Sequence, residues 1–478
     1  MPVQTKLLGF LFLTLLLIAC SNSGAQSSAD ANASAQPEIR VKVEGASITG
    51  DVLLVASIGD QQFIQDTATM EGDVAVFSRA EPYSRGVYLA YYPDKTAVQF
   101  MMDGDQEFSL TTKKDDIPNS MAVDGSRANE LFYDTRRFEV NLQPQIKAAN
   151  QKLNGLAANT PEREAAQKEL DELLARRKQY LEELFANNQD NFYARFKRAG
   201  QNPEIRKDLT LPDGSPDNEA QVAAYRKDFW SNVDFNDTAL LRTPVVFNKL
   251  KRYMEELTPR NADAVKESAD DLLQRVIDKP EYLRYFANWI TLKYEPGKTN
   301  LMDGEAVYVH MIQNYFTPEL AFWSDSMTIY GLQQRAGEMA QSLKGQPGPN
   351  ITVNDINGNP RTLYDEQAPY LIVYLYNPTC EHCIEQTPKV RDFVKSRNGE
   401  VGLYAIAIDT EEKAWKKFVQ EYGMSEFTNV YDPTNRAIYK TYYVDHTPEL
   451  YLLNPDREII GKNLKAGQVA EVIARDKE

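Results

Sequence analysis

Residues 376–390 read "YNPTCEHCIEQTPKV" and contain Cys380 and Cys383, two of the three cysteines of the chain. The run before them, "YLIVYLYN" (370–377), is almost continuously apolar, which is typical of a strand buried on both faces. The residues that follow, "CEHCIEQTPKVRDFVKSR" (380–397), have a helical pattern. Cys380 is therefore predicted at a strand-to-helix junction, where free backbone N–H groups and the helix dipole lower the pKa of a thiol.

Cys383 lies one helical turn after Cys380, so both side chains are predicted on one face and within reach of a disulfide. This spacing favours a redox pair in which Cys380 attacks and Cys383 resolves. Haem attachment is disfavoured because Ile384 stands where a histidine is needed. The alternatives are a zinc site that includes His382, although the chain has only three histidines, and a structural disulfide, although so short a loop constrains little chain.

The rest of the C-terminal region alternates strands with helices. This alternation predicts an α/β domain with a central sheet and helices on both faces. Further strands are predicted at "VGLYAIAID" (401–409) and "ELYLLN" (449–454), and helices at "EEKAWKKFVQEYG" (411–423), "TNRAIYKTYY" (434–443) and "GQVAEVIARDK" (467–477).

The C-x-x-C pair, Pro388 in the following helix and Thr447-Pro448 before a later strand together resemble the thioredoxin fold. The extra strand and helix at 401–423 resemble the insertion of the TlpA/ResA-like thioredoxins of bacterial envelopes, and the similarity covers residues 345–478. This resemblance implies thiol-disulfide exchange by the two cysteines without a cofactor. It also implies that Pro448 is cis, which agrees with the fact that cis peptide bonds occur almost only before proline. The cis bond would place the Thr447 backbone where it can pair with an extended client polypeptide.

Several positions depart from the family pattern. Thr379 replaces the usual tryptophan, and Tyr374 stands where thioredoxins keep a buried acid, so the proton acceptor for Cys383 is not assigned. Glu381 and His382 are expected to tune the redox pair in opposite directions: the histidine resembles the oxidising DsbA class and the glutamate the reducing ResA type. The family resemblance favours a reductant.

The N-terminus predicts export and a lipid anchor. The apolar run "LLGFLFLTLLLIA" (7–19) is too short for a membrane span and ends in small residues, as in a secretion signal. "LIAC" resembles the lipobox of bacterial lipoproteins, which implies a signal peptide over 1–19, lipidation of Cys20 and a flexible tether over 20–37. Ser21 favours the outer membrane by analogy, so the expected location is the cell envelope, facing the periplasm.

Three domains are predicted after the tether. Period-two alternation over 38–125 predicts an antiparallel β-sandwich, and helical periodicity predicts an α-helical domain over 126–342. Both regions resemble domains of unknown function that precede thioredoxin modules in envelope lipoproteins, and the thioredoxin-like domain itself is expected over 343–478. His310, alone among apolar residues of a predicted helix, is interpreted as a packed core residue and not as a ligand.

A net charge of −16 argues against nucleic-acid binding. The expected partners are protein disulfide or dithiol clients, a redox-recycling partner in the envelope, and the membrane through Cys20. No metal is expected. The predicted function is an envelope thiol-disulfide oxidoreductase that acts as a reductant. The alternative is a partner-binding or scaffold lipoprotein in which the thioredoxin domain is secondary.

Overall fold

The computed structural model describes residues 36–299, 301–434, 441–444 and 446–478. The predicted signal peptide, Cys20 and nearly all of the tether lie outside the described residues, as does most of the helix predicted over 434–443. Within the described part of the chain, no helix combines the length and apolarity needed to cross a membrane.

Two β-sheets form the N-terminal part. Their strand orders are β4-β5-β1-β8-β9 and β3-β2-β6-β7, and their buried side chains meet in one core, where the rings of Phe100 and Phe108 lie 5.9 Å apart. The sandwich is antiparallel as predicted except for the parallel pair β1 and β8. Its strands are β1 (Glu38–Glu44), β2 (Leu53–Ile58), β3 (Gln61–Thr67), β4 (Thr69–Glu71), β5 (Val74–Ser78), β6 (Gly86–Tyr91), β7 (Ala97–Met102), β8 (Glu107–Lys113) and β9 (Ala122–Asp124).

The central part is α-helical, as predicted. A short helix, α1 (Ile117–Ser120), lies between β8 and β9, and the helices of the central part are α2 (Arg127–Asn154), α3 (Pro161–Asn187), α4 (Phe192–Ala199), α5 (Asn218–Asp228), α6 (Pro244–Arg252), α7 (Ala262–Gln274), α8 (Pro280–Lys293), α9 (Gly304–Tyr315) and α10 (Ser326–Ala340). Side chains cap several of these helices: Ser126 accepts from the N–H of Asn129, and Thr160 does the same for α3, whose first residue is proline.

The sheets and the helices share one continuous hydrophobic core. Asn129 of α2 strengthens this junction, because its buried amide accepts from the Met101 N–H at 2.7 Å and donates to the Met101 carbonyl at 2.8 Å. Met101 belongs to β7, an edge strand, so the amide satisfies backbone groups that no neighbouring strand pairs. His310 differs from the prediction of a packed core residue. It is half-buried and binds Asp270 at 2.7 Å, because its side of α9 reaches the surface beside α7.

The C-terminal part begins with the hairpin β10 (Thr352–Asn354) and β11 (Pro360–Thr362) and continues as a five-stranded sheet of order β14-β13-β12-β15-β16. Central strand β12 is buried at every residue because both faces are covered. The elements are β12 (Tyr370–Tyr376), α11 (Glu381–Ser396), β13 (Val401–Ala407), α12 (Glu412–Glu421), β14 (Thr428–Tyr431), β15 (Glu449–Leu453), β16 (Ile459–Gly461) and α13 (Val469–Asp476).

The three described helices of this part all pack on one face of the sheet, together with Cys383. Among the described residues the other face is covered by the β10–β11 hairpin and by residues 442–444. The described residues therefore place helices on one face of the sheet, and the helix predicted over 434–443 lies mostly outside them, so helices on both faces stay a prediction. The fold class is an N-terminal β-sandwich, a central helical region and a C-terminal thioredoxin-like α/β domain.

Candidate active site

Cys380 lies at the start of α11, directly after the loop that leaves β12. Its backbone is extended, and its carbonyl accepts the first helical hydrogen bond from the Ile384 N–H at 3.0 Å. The helix starts here because the Asn-Pro-Thr sequence turns the chain away from the sheet. The predicted position of Cys380 at a strand-to-helix junction is confirmed.

Asn377 builds this turn and was not predicted as a site residue. Its side-chain oxygen accepts from both the N–H and the hydroxyl of Thr379 at 2.8 Å, and its amide donates to the Asp409 carbonyl at 3.0 Å. Its own N–H points at the Cys383 sulfur, 3.4 Å away. The signal was present in the sequence, since asparagine before proline is a turn former that bonds to its own backbone.

Cys383 is completely buried beneath the loop. It packs in the core of the sheet with Tyr374 and Tyr376, whose rings stack 5.4 Å apart. Burial raises the pKa of the Cys383 thiol to about 12, against the lowering effect of the Asn377 N–H. This thiol therefore stays protonated at neutral pH.

Cys380 has the opposite electrostatic environment. Burial acts to raise its pKa, but hydrogen bonds from the Cys383 N–H, the Cys383 thiol, the Thr447 side-chain hydroxyl and the His382 N–H outweigh it, and the pKa of Cys380 is lowered. Both cysteines are free thiols and Cys380 is partly exposed. The arrangement gives one accessible, more acidic sulfur and one enclosed sulfur beside it.

Thr447 and Pro448 complete the site from a distant part of the chain. The peptide bond between them is cis, which confirms that prediction. The Cys380 sulfur donates to the Thr447 carbonyl at 3.4 Å. The structure therefore brings the Thr447 backbone beside the Cys380 sulfur, while the binding of a client there stays a prediction.

Glu381 and His382 are both exposed at the start of α11. The groups that lower the pKa of Cys380 belong to the backbone, to Cys383 and to Thr447. Solvent screens the charges of exposed side chains, so the two residues act on Cys380 more weakly than the fixed N–H donors. Their role in redox tuning stays a prediction.

Tyr374 occupies the position where thioredoxins keep a buried acid. Its hydroxyl lies 3.0 Å from that of Thr387, which in turn donates to the Cys383 carbonyl at 2.8 Å. Burial raises the pKa of Tyr374, so this hydroxyl does not serve as a base near neutral pH. Tyr374 instead packs in the buried cluster around Cys383 and helps to exclude water from that thiol.

Glu449, next to Pro448, is a buried carboxylate that sequence reasoning did not single out. Alternation along β15 places it with Tyr451 on the face opposite Cys383, and its interaction with the Tyr451 hydroxyl helps burial to raise the pKa of that tyrosine. Glu449 therefore does not replace the missing acid. Among the described residues, no group of three or more His, Cys, Asp or Glu side chains is arranged to hold a metal ion.

Comparison with known proteins agrees with this geometry. Residues 344–462 match the model of the AhpC/TSA family, and residues 212–326 match a domain of unknown function, DUF5106. A crystallised domain of a "possible thiol-disulfide isomerase" from Cytophaga hutchinsonii is 32% identical, and the match covers 93% of that domain and 28% of this chain, with a TM-score of 0.27. The C-terminal region belongs to the AhpC/TSA family of thioredoxin-like proteins.

Two further structures are similar to parts of this chain. A thioredoxin-like protein from Bacteroides caccae matches over 57% of this chain and 98% of its own, at 19% identity and a TM-score of 0.47. The thioredoxin domain of a thiol-disulfide oxidoreductase from Bacteroides vulgatus matches over 28% of this chain and 98% of its own, at 22% identity and a TM-score of 0.26. No curated protein is significantly similar to the chain.

Proposed function

We propose that the protein is a thiol-disulfide oxidoreductase of the cell envelope that reduces disulfides in client polypeptides through Cys380 and Cys383. The observation that carries the proposal is the contrast between the two sulfurs. Cys380 is partly exposed and has a lowered pKa, whereas Cys383 is enclosed and has a pKa of about 12. The thiolate is the nucleophile in disulfide exchange, so this contrast assigns the attacking and the resolving sulfur.

The reaction transfers two electrons. The Cys380 thiolate attacks one sulfur of the client disulfide, forms a mixed disulfide and releases the other client sulfur as a thiolate. Cys383 then loses its proton to a client sulfur and attacks Cys380, which frees the remaining client thiolate. With one further proton from water, the client gains a dithiol and the enzyme keeps a Cys380–Cys383 disulfide.

Reduction is the proposed direction because no buried charge stabilises the Cys380 thiolate within the described residues. Strong oxidants of this kind need a reduced form that is stabilised, and here the charged linker residues Glu381 and His382 are both exposed. A thiol partner in the envelope would return the disulfide to the dithiol form. Attachment through a lipidated Cys20 at the outer membrane, facing the periplasm, belongs to the same proposal.

A trapping experiment tests the function. Cys383→Ser prevents resolution, so the variant should accumulate a mixed disulfide on Cys380 when it is given oxidised insulin, visible as a shift on a non-reducing gel. Cys380→Ser is the matched control and should trap nothing. The proposal is wrong if the Cys383→Ser variant stays free and the unaltered protein does not reduce insulin.

A further inference from the structure

A pocket of about 660 Å³ lies far along the chain from the cysteines, where the β2–β3 hairpin meets α6 and α8. Its lining includes four apolar and aromatic side chains, Leu241, Phe247, Tyr285 and Trp289. The volume lies in the range of ligand-binding pockets, which are mostly apolar with a few polar groups at the rim. The pocket joins the N-terminal sheet to the helical region, so both supply its walls.

The hairpin at the pocket is held in a fixed position. The Gly59 N–H donates to the Leu241 carbonyl at 3.1 Å, and a Cβ at Gly59 would lie only 2.1 Å from the Tyr285 hydroxyl oxygen. Gly59 also has a φ of +61°, so glycine is favoured there for two reasons. The strand that begins at Gln61 therefore starts from a rigid point on the pocket rim, which reduces the entropy lost when a partner binds.

Strand β3 is the edge strand of its sheet, and its outer side has no paired strand among the described residues. The two-residue loop pairs Ile58 with Gln61, which directs the backbone groups of Gln62 and Ile64 outward. Ile64 is 61% exposed and Phe63 is 41% exposed. Edge strands are normally protected by lysine, proline or a covering element, whereas β3 reads QQFIQDT, so its edge is open to an added strand.

The charges around the pocket favour a partner with a carboxylate. Arg242 and Lys251 line it and make no ion pair within the described residues, and Asp60 is the one lining carboxylate without an ion pair there. The remaining charged groups of the rim pair with each other, Glu281 with Arg284 at 2.5 Å and Glu255 with Lys293 at 2.6 Å. The unpaired groups are therefore net positive, on a chain whose net charge is −16.

We propose that β3 and this pocket form a docking site for an extended, unfolded segment of a client polypeptide. The segment pairs with the outer edge of β3 as an additional strand, and one of its apolar side chains enters the pocket above Trp289. A neighbouring acidic side chain of the segment pairs with Arg242 or Lys251. This inference rests on the proposed function, because it gives the oxidoreductase a second hold on the client whose disulfide it reduces.

The test uses the full chain with Cys380→Ser and Cys383→Ser, so that no covalent capture contributes. The probe is reduced and carboxamidomethylated α-lactalbumin, an acidic polypeptide that stays unfolded and has no free thiol. The protein with both cysteines replaced should bind this probe. Gln62→Pro in the same protein should weaken binding by about tenfold or more, because proline removes an outward N–H without breaking the β2 pairing. Trp289→Ala should have a similar effect.

Matched variants separate docking from folding. Gln62→Ala keeps the N–H and should bind like the parent, as should Tyr330→Ala, which alters a 62% exposed aromatic on α10. Equal unfolding midpoints would show that all variants are folded. The inference is overturned if the parent does not bind the probe, if Gln62→Pro binds as well as Gln62→Ala, or if sedimentation shows that a second copy of the chain occupies β3.

The outcome is independent of the redox chemistry. With both cysteines present, Gln62→Pro should reduce a small aromatic disulfide at the same rate as the unaltered protein. Loss of docking with intact small-disulfide reduction would support both proposals. If the unaltered protein does not reduce the small disulfide, the proposed function is wrong. The docking proposal is then decided by the binding measured with both cysteines replaced by serine.

Discussion

At the scale of single residues, the site depends on the different environments of two sulfurs one helical turn apart. Backbone N–H groups and Thr447 lower the pKa of Cys380, whereas burial raises the pKa of Cys383 to about 12. The cysteine spacing and the turn could be read from the sequence, because both are local. The burial of Cys383 under Tyr374 and Tyr376 could only be inferred from the apolar run, since it depends on how the sheet packs.

Alkylation at different pH values should reveal this contrast. In a Cys20→Ser protein, iodoacetamide should modify Cys380 with a midpoint below that of an ordinary cysteine, because its thiolate forms at lower pH. Cys383 should stay unmodified at pH 9 in the folded protein, since its pKa lies near 12. Peptide mass spectrometry reads both sites. Equal reactivity of the two thiols would contradict the assigned roles.

Replacing either of the two residues between the cysteines should have a small effect on the pKa of Cys380. Glu381→Gln should lower the pKa of Cys380 by less than about half a unit, and His382→Gln should change it by no more than that, because exposed side chains interact weakly through water. The pH profile of alkylation measures both changes. A shift of two units in either variant would show that these side chains, and not the backbone donors, control the thiolate.

At the scale of elements, strands and helices with a strong period were predictable and those stabilised by distant contacts were not. β12 could be predicted because its run is almost continuously apolar, and the sequence of α3 carries both a Thr160 cap and periodic leucines. β3 was missed, since QQFIQDT contains one short apolar pair and forms a strand only by pairing with β2. The contact between Glu305 of α9 and Lys462 after β16 joins residues 157 positions apart, which no local pattern indicates.

Glu305 and Lys462 form a buried ion pair that connects the helical region to the thioredoxin-like domain. Glu305→Gln should destabilise the protein by about 3–5 kcal/mol, because it leaves the Lys462 ammonium buried without its partner. The double variant Glu305→Leu, Lys462→Met removes both charges and should cost clearly less. Urea unfolding measures both values. If Glu305→Gln is as stable as the unaltered protein, water reaches the ion pair and the account of a buried pair is wrong.

Asp303, beside this ion pair, should make stability depend on pH. Burial raises its pKa to about 6 in spite of Lys462, so the folded state favours the protonated acid. That stabilisation is complete below pH 4, near the pKa of unfolded aspartate, and is lost as the pH rises through about 6.

Asp303→Asn should consequently be similar in stability to the unaltered protein at pH 4 and more stable at pH 7. A shift of about two units corresponds to a difference of up to about 3 kcal/mol. Urea unfolding of both proteins across this range measures the difference. A constant difference from pH 4 to pH 7 would contradict the raised pKa.

At the scale of the whole molecule, the helical region supports the back of the thioredoxin-like domain. Lys462 is fully buried and pairs with Glu305 of α9, and Tyr443 packs against the large core while its hydroxyl accepts from Arg335 at 2.7 Å. The order of the three regions was predictable from periodicity. The way in which the sheets, helices and redox domain share contacts was not, because it arises from residues far apart in sequence.

An isolated domain of residues 343–478 should therefore be less stable than the same region in the full chain, because Lys462 and Tyr443 lose their contacts with Glu305 and Arg335 of the helical region. It should still reduce small disulfides, because every residue placed at the sulfurs lies within it. Unfolding followed by tryptophan fluorescence of Trp415, the one tryptophan of that fragment, measures the first point. An equally stable fragment would show that the helical region adds nothing to this domain.

The reduction potential of the Cys380–Cys383 pair tests the central claim most directly. The protein, with Cys20→Ser, is equilibrated in dithiothreitol buffers of graded potential and the free thiols are counted by mass-tagged alkylation. The account predicts a single two-electron transition near the potential of thioredoxin, about −270 mV. A pair that never forms a disulfide would contradict the redox assignment, and a midpoint near about −120 mV would contradict the role as a reductant.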